Sequence, residues 1–150
     1  MTLHIALYQP DIPGNTGTIL RLGACLGLII DIIEPAGFDL SDQSLKRAGM
    51  DYLKKATLRR HDCWEDFLKM IEQENHRLVL FTTKGAKPYT QFQFNKNDVL
   101  LFGRESAGVP EYVHELIQNR VIIPMKGDAR SINLAMSVAM AAGEAIRQTK

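Results

Sequence analysis

Long hydrophobic runs are missing from this chain of 150 residues. Its longest apolar stretches, such as Leu26 to Ile30, are broken by Asp31 and Glu34, far short of the roughly 20 apolar residues that span a bilayer. No transmembrane helix and no membrane partner are expected. Cysteine is scarce. Cys25 and Cys63 are too few for a disulfide scaffold, and neither lies in a CxxC motif or a Cys/His cluster of zinc spacing, so both are expected as buried free thiols. Met1 to Pro10 carries neither a basic leader nor a small-residue cleavage site, which makes the cytoplasm the expected location. Two nucleotide-binding signatures are also absent: no GxGxxG follows the first strand, and no GxxxxGK followed by Ser or Thr occurs. These absences argue against dehydrogenases and phosphate-loop NTPases. A Rossmann-type methyltransferase also lacks its glycine-rich turn, because QPDIPGN stands there instead. His4, His61, His76 and His114 match no metal-ligand or triad spacing, so they are read as structural and no metal is expected.

What is present is ordinary globular usage, with 45% hydrophobic and 23% charged residues, enough apolar material for one core. Residues 1–150 are read as a single domain, with no repeat, low-complexity tract or linker. The net charge of +1 says little about partners, but its distribution says more. Lys46, Arg47, Lys54, Lys55, Arg59 and Arg60 stand against Asp51 alone between Lys46 and His61. Such a basic patch on a mildly acidic body suits either a phosphate backbone or a solvated face.

Apolar strands alternate with helical periodicity along the chain. Strands are expected at Leu3 to Tyr8, Leu28 to Glu34, Thr57 to Arg60, His76 to Thr82, Val99 to Phe102 and Val121 to Ile123. Helices are expected after QPDIPGN through Leu26, near Asp42 to Ala48, from an Asp62/Glu65 capping box to about Glu74, from Pro110 to about Gln118, and from Ser131 to Gln148. The segment with Tyr89, Phe92 and Phe94 gives no clear pattern. Short, nearly continuous apolar strands alternating with helices predict an α/β fold, a parallel sheet with helices on both faces.

Ligands of open α/β sheets bind in loops beyond the carboxyl ends of the strands, and the unusual residues sit in those loops. Asn15-Thr16-Gly17 and Arg21 follow the first strand, Gly103-Arg104-Glu105-Ser106-Ala107-Gly108 follows Phe102, and Ile123-Pro124-Met125 with Ser131-Ile132-Asn133-Leu134 follows the last strand. Singly, each has a plainer use: Asn15 as a helix cap, Gly103 and Gly108 for tight turns.

Together, NxGxxxR, GxExxG and IPM…SxNL in this order resemble the three motifs of the SpoU branch of the SPOUT methyltransferases. The resemblance covers nearly the whole chain. Ile33-Glu34-Pro35 with Gly37-Phe38, Arg47-Ala48-Gly49-Met50-Asp51-Tyr52 and Thr82-Thr83-Lys84-Gly85 look like the small branch that methylates tRNA at position 34. It implies a C-terminal deep trefoil knot, a homodimer, and S-adenosylmethionine (SAM) as methyl donor to a ribose 2′-hydroxyl of tRNA. It also implies a cofactor pocket lined by Phe81, Gly103, Ile123, Met125, Ser131 and Leu134. Arg21 would stand nearest the hydroxyl, with Asn15, Glu105 and Asn133 orienting it and Ser131 touching cofactor or ribose. Two roles are open to Arg21: general base, which a guanidinium fills poorly, or stabiliser of the developing alkoxide and grip on the neighbouring phosphate. RNA phosphates would meet Lys46, Arg47, Lys54, Lys55, Arg59, Arg60 and Arg104. Gly143 stands where some relatives carry an aromatic residue. Two rivals remain: a SpoU enzyme for ribosomal RNA or another tRNA position, and a non-catalytic knotted RNA-binding module.

Overall fold

Strand β1 (His4–Tyr8) is buried at every position, as a strand covered on both faces must be. The computed structural model describes residues 2–39, 57–85, 87–129 and 131–150. The helix expected near Asp42 to Ala48, and with it Lys46, Arg47, Lys54 and Lys55, lies outside them. After β1 come α1 (Pro13–Leu26), β2 (Ile29–Ile33), β3 (Thr57–His61), α2 (Trp64–Gln73), β4 (Arg77–Phe81) and β5 (Lys87–Pro88). A 3-10 turn at Tyr89–Gln91 then leads to β6 (Asp98–Phe102), α3 (Glu111–Leu116), β7 (Arg120–Ile122) and α4 (Leu134–Thr149).

The described strands form one sheet in the order β3-β2-β1-β6-β4-β7-β5, and every pairing is parallel. Alternation along β1 explains the two layers. Ile5 and Leu7 join Ile19 and Leu20 of α1 and Val138 and Ala142 of α4 on one face. Ala6 and Tyr8 join Trp64 and Phe67 of α2 and Val113 of α3 on the other. The expected parallel sheet with helices on both faces is therefore observed.

Helix starts differ from expectation in instructive ways. Pro13 opens α1 and Gly27, at φ 70, closes it in the left-handed conformation that glycine adopts without strain. Asn15 is thus inside the first turn rather than the cap. The Asp62/Glu65 capping box does not form, because Cys63 is the α2 cap residue and makes no side-chain cap bond; Glu65 and Asp66 act instead through their charge in the first turn. α3 ends at Leu116, since Ile117 is extended. α4 starts at Leu134, where Asn133 accepts from the Met136 N–H. The segment without clear pattern contains a two-residue edge strand that tolerates Pro88, and buries Phe94 parallel to Phe81. The thiols are also corrected: Cys25 is exposed and Cys63 half-buried, because Cys25 falls on the α1 face turned away from the core formed by Ile19 and Leu20.

Candidate functional site

Loops at the carboxyl ends of β1, β4, β6 and β7 enclose a cavity of ≈ 540 Å³, within the range of small-molecule sites. Phe81, Gly103, Ile123, Met125, Ser131 and Leu134, the expected cofactor residues, all line it. So do Asn15, Glu105, Asn133 and Arg104.

Backbone crowding explains two glycines. A Cβ on Gly103 would lie 2.6 Å from the Gly108 Cα, and one on Gly85 would lie 2.5 Å from the Val121 carbonyl oxygen. Both are closer than real contacts permit, so only glycine lets these chains pass. Gly108 itself, at φ 68, turns the loop back so that its carbonyl accepts from the Arg104 N–H at 3.2 Å.

A chain of hydrogen bonds ties three loops together around this cavity. Asn15 Nδ2 donates to Glu105 Oε2 at 3.1 Å. Asn133 Nδ2 donates to Asn15 Oδ1 at 3.1 Å, and Asn133 Oδ1 accepts from the Met136 N–H at 3.2 Å. Each amide uses both its oxygen and its nitrogen, which fixes its orientation. Glu105 Oε1 also accepts from the Asp11 N–H at 3.1 Å.

A model of the SpoU rRNA Methylase family matches residues 2–143. The chain belongs to this family. Among its SpoU relatives, a tRNA (cytidine(34)-2′-O)-methyltransferase of Ancylobacter novellus is 53% identical over 99% of this chain and 94% of its own. The Escherichia coli K12 protein of the same name is 40% identical over 97% and 93%. A solved structure described as giving insight into the 2-OH methylation of C/U34 on tRNA superimposes with TM-score 0.93, at 44% identity, covering 98% of this chain and 95% of that one. The SpoU methyltransferase AviRb of Streptomyces viridochromogenes, in complex with AdoMet, gives TM-score 0.90 at 27% identity over 98% and 60% of the two chains.

Within this SpoU site, Arg21 stands apart from the other expected residues. It is exposed on α1 and does not line the cavity, whereas Asn15, two turns earlier, does. Arg59 and Arg60 also lie away from the cavity, and each is matched by a carboxylate: Arg59 donates two bonds to Glu74, and Arg60 two to Glu34. Arg104 lines the cavity with its Nε 3.8 Å from Asp11.

Sequence reasoning missed Asp11 and His114. Asp11 accepts from the Ser106 hydroxyl, holding the GRESAG turn against the β1 loop. Its place four residues before Asn15 in QPDIPGN was the available signal. Burial works to raise the Asp11 carboxyl, but its bonds with Ser106 and Glu105 and the Arg104 charge prevail and hold it below the ordinary value. Glu105 moves the other way, pushed up by burial and then by its hydrogen bond with Asp11. His114 lines the cavity, its Nδ1 accepting from Arg120 at 2.9 Å; nothing in the spacing of α3 pointed there.

Proposed function

We propose that this chain transfers the methyl group of SAM to the ribose 2′-oxygen of the wobble nucleotide, position 34, in the tRNA anticodon loop. The observation that carries the reading is the hydrogen-bonded chain Glu105–Asn15–Asn133, which unites the three motif loops around one cavity. Family membership and the names of the full-length relatives agree with it.

The cavity fits the cofactor: glycine at 103 lets the Gly108 backbone pack against it and close one wall, and Phe81 and Leu134 give apolar walls beside the polar Ser131. Phe81, Gly103, Ile123, Met125, Ser131 and Leu134 would hold it. SAM supplies an activated methyl group when bound. The protein aligns the ribose and stabilises negative charge as the hydroxyl loses its proton. Arg21 does this as a fixed cation, stabilising the alkoxide or gripping the adjacent phosphate. Asn15, Glu105 and Asn133 position the loops, and Ser131 meets cofactor or ribose. A metal ion has no step to perform in this chemistry.

The segment from β7 to α4 forms a deep trefoil knot in this reading. Its support is that β7 sits between β4 and β5, strands that precede it, while Gly85 of their connection presses on Val121 with no space for a Cβ. The active form is a homodimer using α4, where Met136 and Met140 are 64% and 42% exposed. Ala142, on the same helix, is buried in the chain's own core and does not take part. No helix among the described residues is long and apolar enough to cross a membrane, and we place the enzyme in the cytoplasm with its tRNA.

Single-stranded loops suit the reaction because a nucleotide splays out of them cheaply. Phosphates rest on Lys46, Arg47, Lys54, Lys55 and Arg104, with smaller shares from Arg59 and Arg60 because local carboxylates already engage them. The deciding experiment incubates the protein with SAM and tRNA and maps the 2′-O-methyl group by nuclease digestion and mass spectrometry. Methyl at position 34 is expected; methyl elsewhere moves the chain to another RNA target, and none at all overturns the enzymatic reading.

A further inference from the structure

A second set of chemically unusual residues lies at the amino ends of the strands, on the α2 face of the sheet. His4, the first residue of β1, is 3% exposed. Its Nδ1 meets Asp31 Oδ2 at 2.7 Å, and His61 Nε2 meets Asp31 Oδ1 at 2.8 Å. His76, just before β4, has a side chain only 4% exposed. Its Nδ1 donates to the Asn97 carbonyl at 2.9 Å, and its Nε2 is buried with no hydrogen-bond partner. Glu74, the residue that ends α2, brings Oε1 to 3.5 Å from that nitrogen. The two imidazole rings are tilted by 55° with centroids 4.5 Å apart, and one donor atom from each of His4, Glu74 and His76 lies within 4.8 Å of the others.

We infer that His4, His76 and Glu74 form a binding site for one divalent transition-metal ion of the zinc type, remote from the methyl-transfer cavity. Several features point to a cation rather than to packing alone. The His76 Nε2 is buried without a hydrogen-bond partner, and its desolvation cost is met only by the Glu74 carboxylate at 3.5 Å. In each histidine Nδ1 is fixed by an oxygen acceptor, a carboxylate for His4 and a carbonyl for His76. That is how metal-binding imidazoles are held so that Nε2 is presented to the ion. Zinc takes imidazole nitrogen at about 2.0–2.1 Å and carboxylate oxygen at about 2.0–2.2 Å, so donors around one ion stand roughly 3–3.5 Å apart. The Nε2 to Oε1 distance already matches. The other separations close by small rotations of the rings and of the Glu74 carboxylate, whose side chain is 41% exposed, leaving the fourth position to water.

Charge also favours a cation. Asp31 and Glu74 contribute two carboxylates, and the carbonyl end of α2 adds partial negative charge. Arg59 is the opposing group, holding both oxygens of Glu74 and lying 3.7 Å from Asp31. Glu74 can give Oε1 to the ion while Oε2 keeps its 2.6 Å bond to Arg59. The ion would clasp the end of α2 to the first residue of β1 and to the entry of β4.

The test uses the purified full chain, stripped with chelator and titrated with Zn²⁺ by calorimetry and with Co²⁺ by visible absorption. One equivalent per chain is expected, with the spectrum of a four-coordinate nitrogen and oxygen site lacking thiolate charge-transfer bands, and with a rise in melting temperature on Zn²⁺ addition. His76→Asn, which leaves the Asp31 cluster intact, and Glu74→Gln should each weaken binding at least ~10-fold. Arg59→Gln should tighten it by removing the competing cation, and His114→Asn should leave it unchanged. Absence of stoichiometric binding, or binding that persists in both His76→Asn and Glu74→Gln, overturns the assignment. Methyl transfer in chelator should equal that of the zinc-loaded protein, so failure of the metal site and failure of the methyltransferase reading are distinguishable.

Discussion

The two ends of the sheet bury polar groups by different means. At the carboxyl ends, Glu105 of the β6 loop, Asn15 of the first α1 turn and Asn133 of the α4 cap satisfy one another beside an open cavity. Toward the amino ends, Asp98 at the start of β6 and Asp31 at the middle of β2 are fully buried within strands and are closed off by neighbours: His4 and His61 on Asp31, and Arg77 on Asp98 through bonds of 2.7 and 2.8 Å. Burial alone would raise the Asp31 carboxyl, yet the bonds and charges of His4 and His61 outweigh it and leave Asp31 below its ordinary value. One end keeps polar atoms available for a ligand, and the other uses them to hold strands together. Substitutions at the carboxyl end should therefore change rate or ligand binding, and those at the amino end should change stability.

The largest expected effect belongs to Arg21→Ala. Loss of one charge-stabilising group typically lowers kcat by about 10²–10³. Because Arg21 is exposed and does not line the cavity, SAM affinity and melting temperature should hardly move. Single-turnover rates and calorimetry check this; a variant that loses SAM affinity but keeps its turnover at saturating SAM would erase Arg21's role. Asp31→Asn is the counterpart. Each histidine is held by its own carboxylate oxygen, so the amide replaces one acceptor with an NH₂ donor, and leaving a buried donor unpaired costs about 1–3 kcal/mol. Urea unfolding should show that loss, while the folded variant binds SAM as before. An equal fall in SAM affinity would mean that the two ends are coupled. Asn133→Ala joins both kinds of effect at a smaller scale. It removes the α4 cap, about 1 kcal/mol, and it also breaks the link to Asn15. Its kcat should fall several-fold more than its stability loss accounts for, and a purely thermal defect would reduce Asn133 to a cap.

The parallel sheet was legible because β1, β4 and β6 are near-continuous apolar runs between turn residues, a pattern only doubly covered strands show. The site loops were legible for a different reason: three motifs in order carry more information than any one of them. Asp11 was not, because its contact with Ser106 spans 95 positions. The His4–His76–Glu74 group escaped for the same reason, since β1 and β4 come together only through β6 between them. The capping box misled because Cys63 and Asp62 compete for one position and backbone geometry, not side-chain type, selected Cys63.

The smallest effect tests whether the carboxyl end is tuned as well as tied. The folded-state value of Glu105 lies above its ordinary 4.5, raised by burial and then by Asp11, so the fold favours the protonated carboxyl. For a group with a raised folded value, the contribution to stability is full below the unfolded value and is lost as pH rises through the folded value. Glu105→Gln cannot ionise, and at neutral pH it gives up one of the two acceptors that serve Asp11 and Asn15, costing about 1 kcal/mol. The stability gap between wild type and variant should therefore widen as pH falls from about 7 toward 4.5. Asp11 has the opposite sign and is held low partly by its bond with Glu105, so the same pair is also compared in an Asp11→Asn background, where burial still raises Glu105. Urea midpoints across that pH series provide the measurement. A gap that stays flat would show that Glu105 titrates as an ordinary surface carboxylate and serves only as a hydrogen-bond anchor for Asn15, and one that narrows toward acid would show that its carboxylate form is favoured instead.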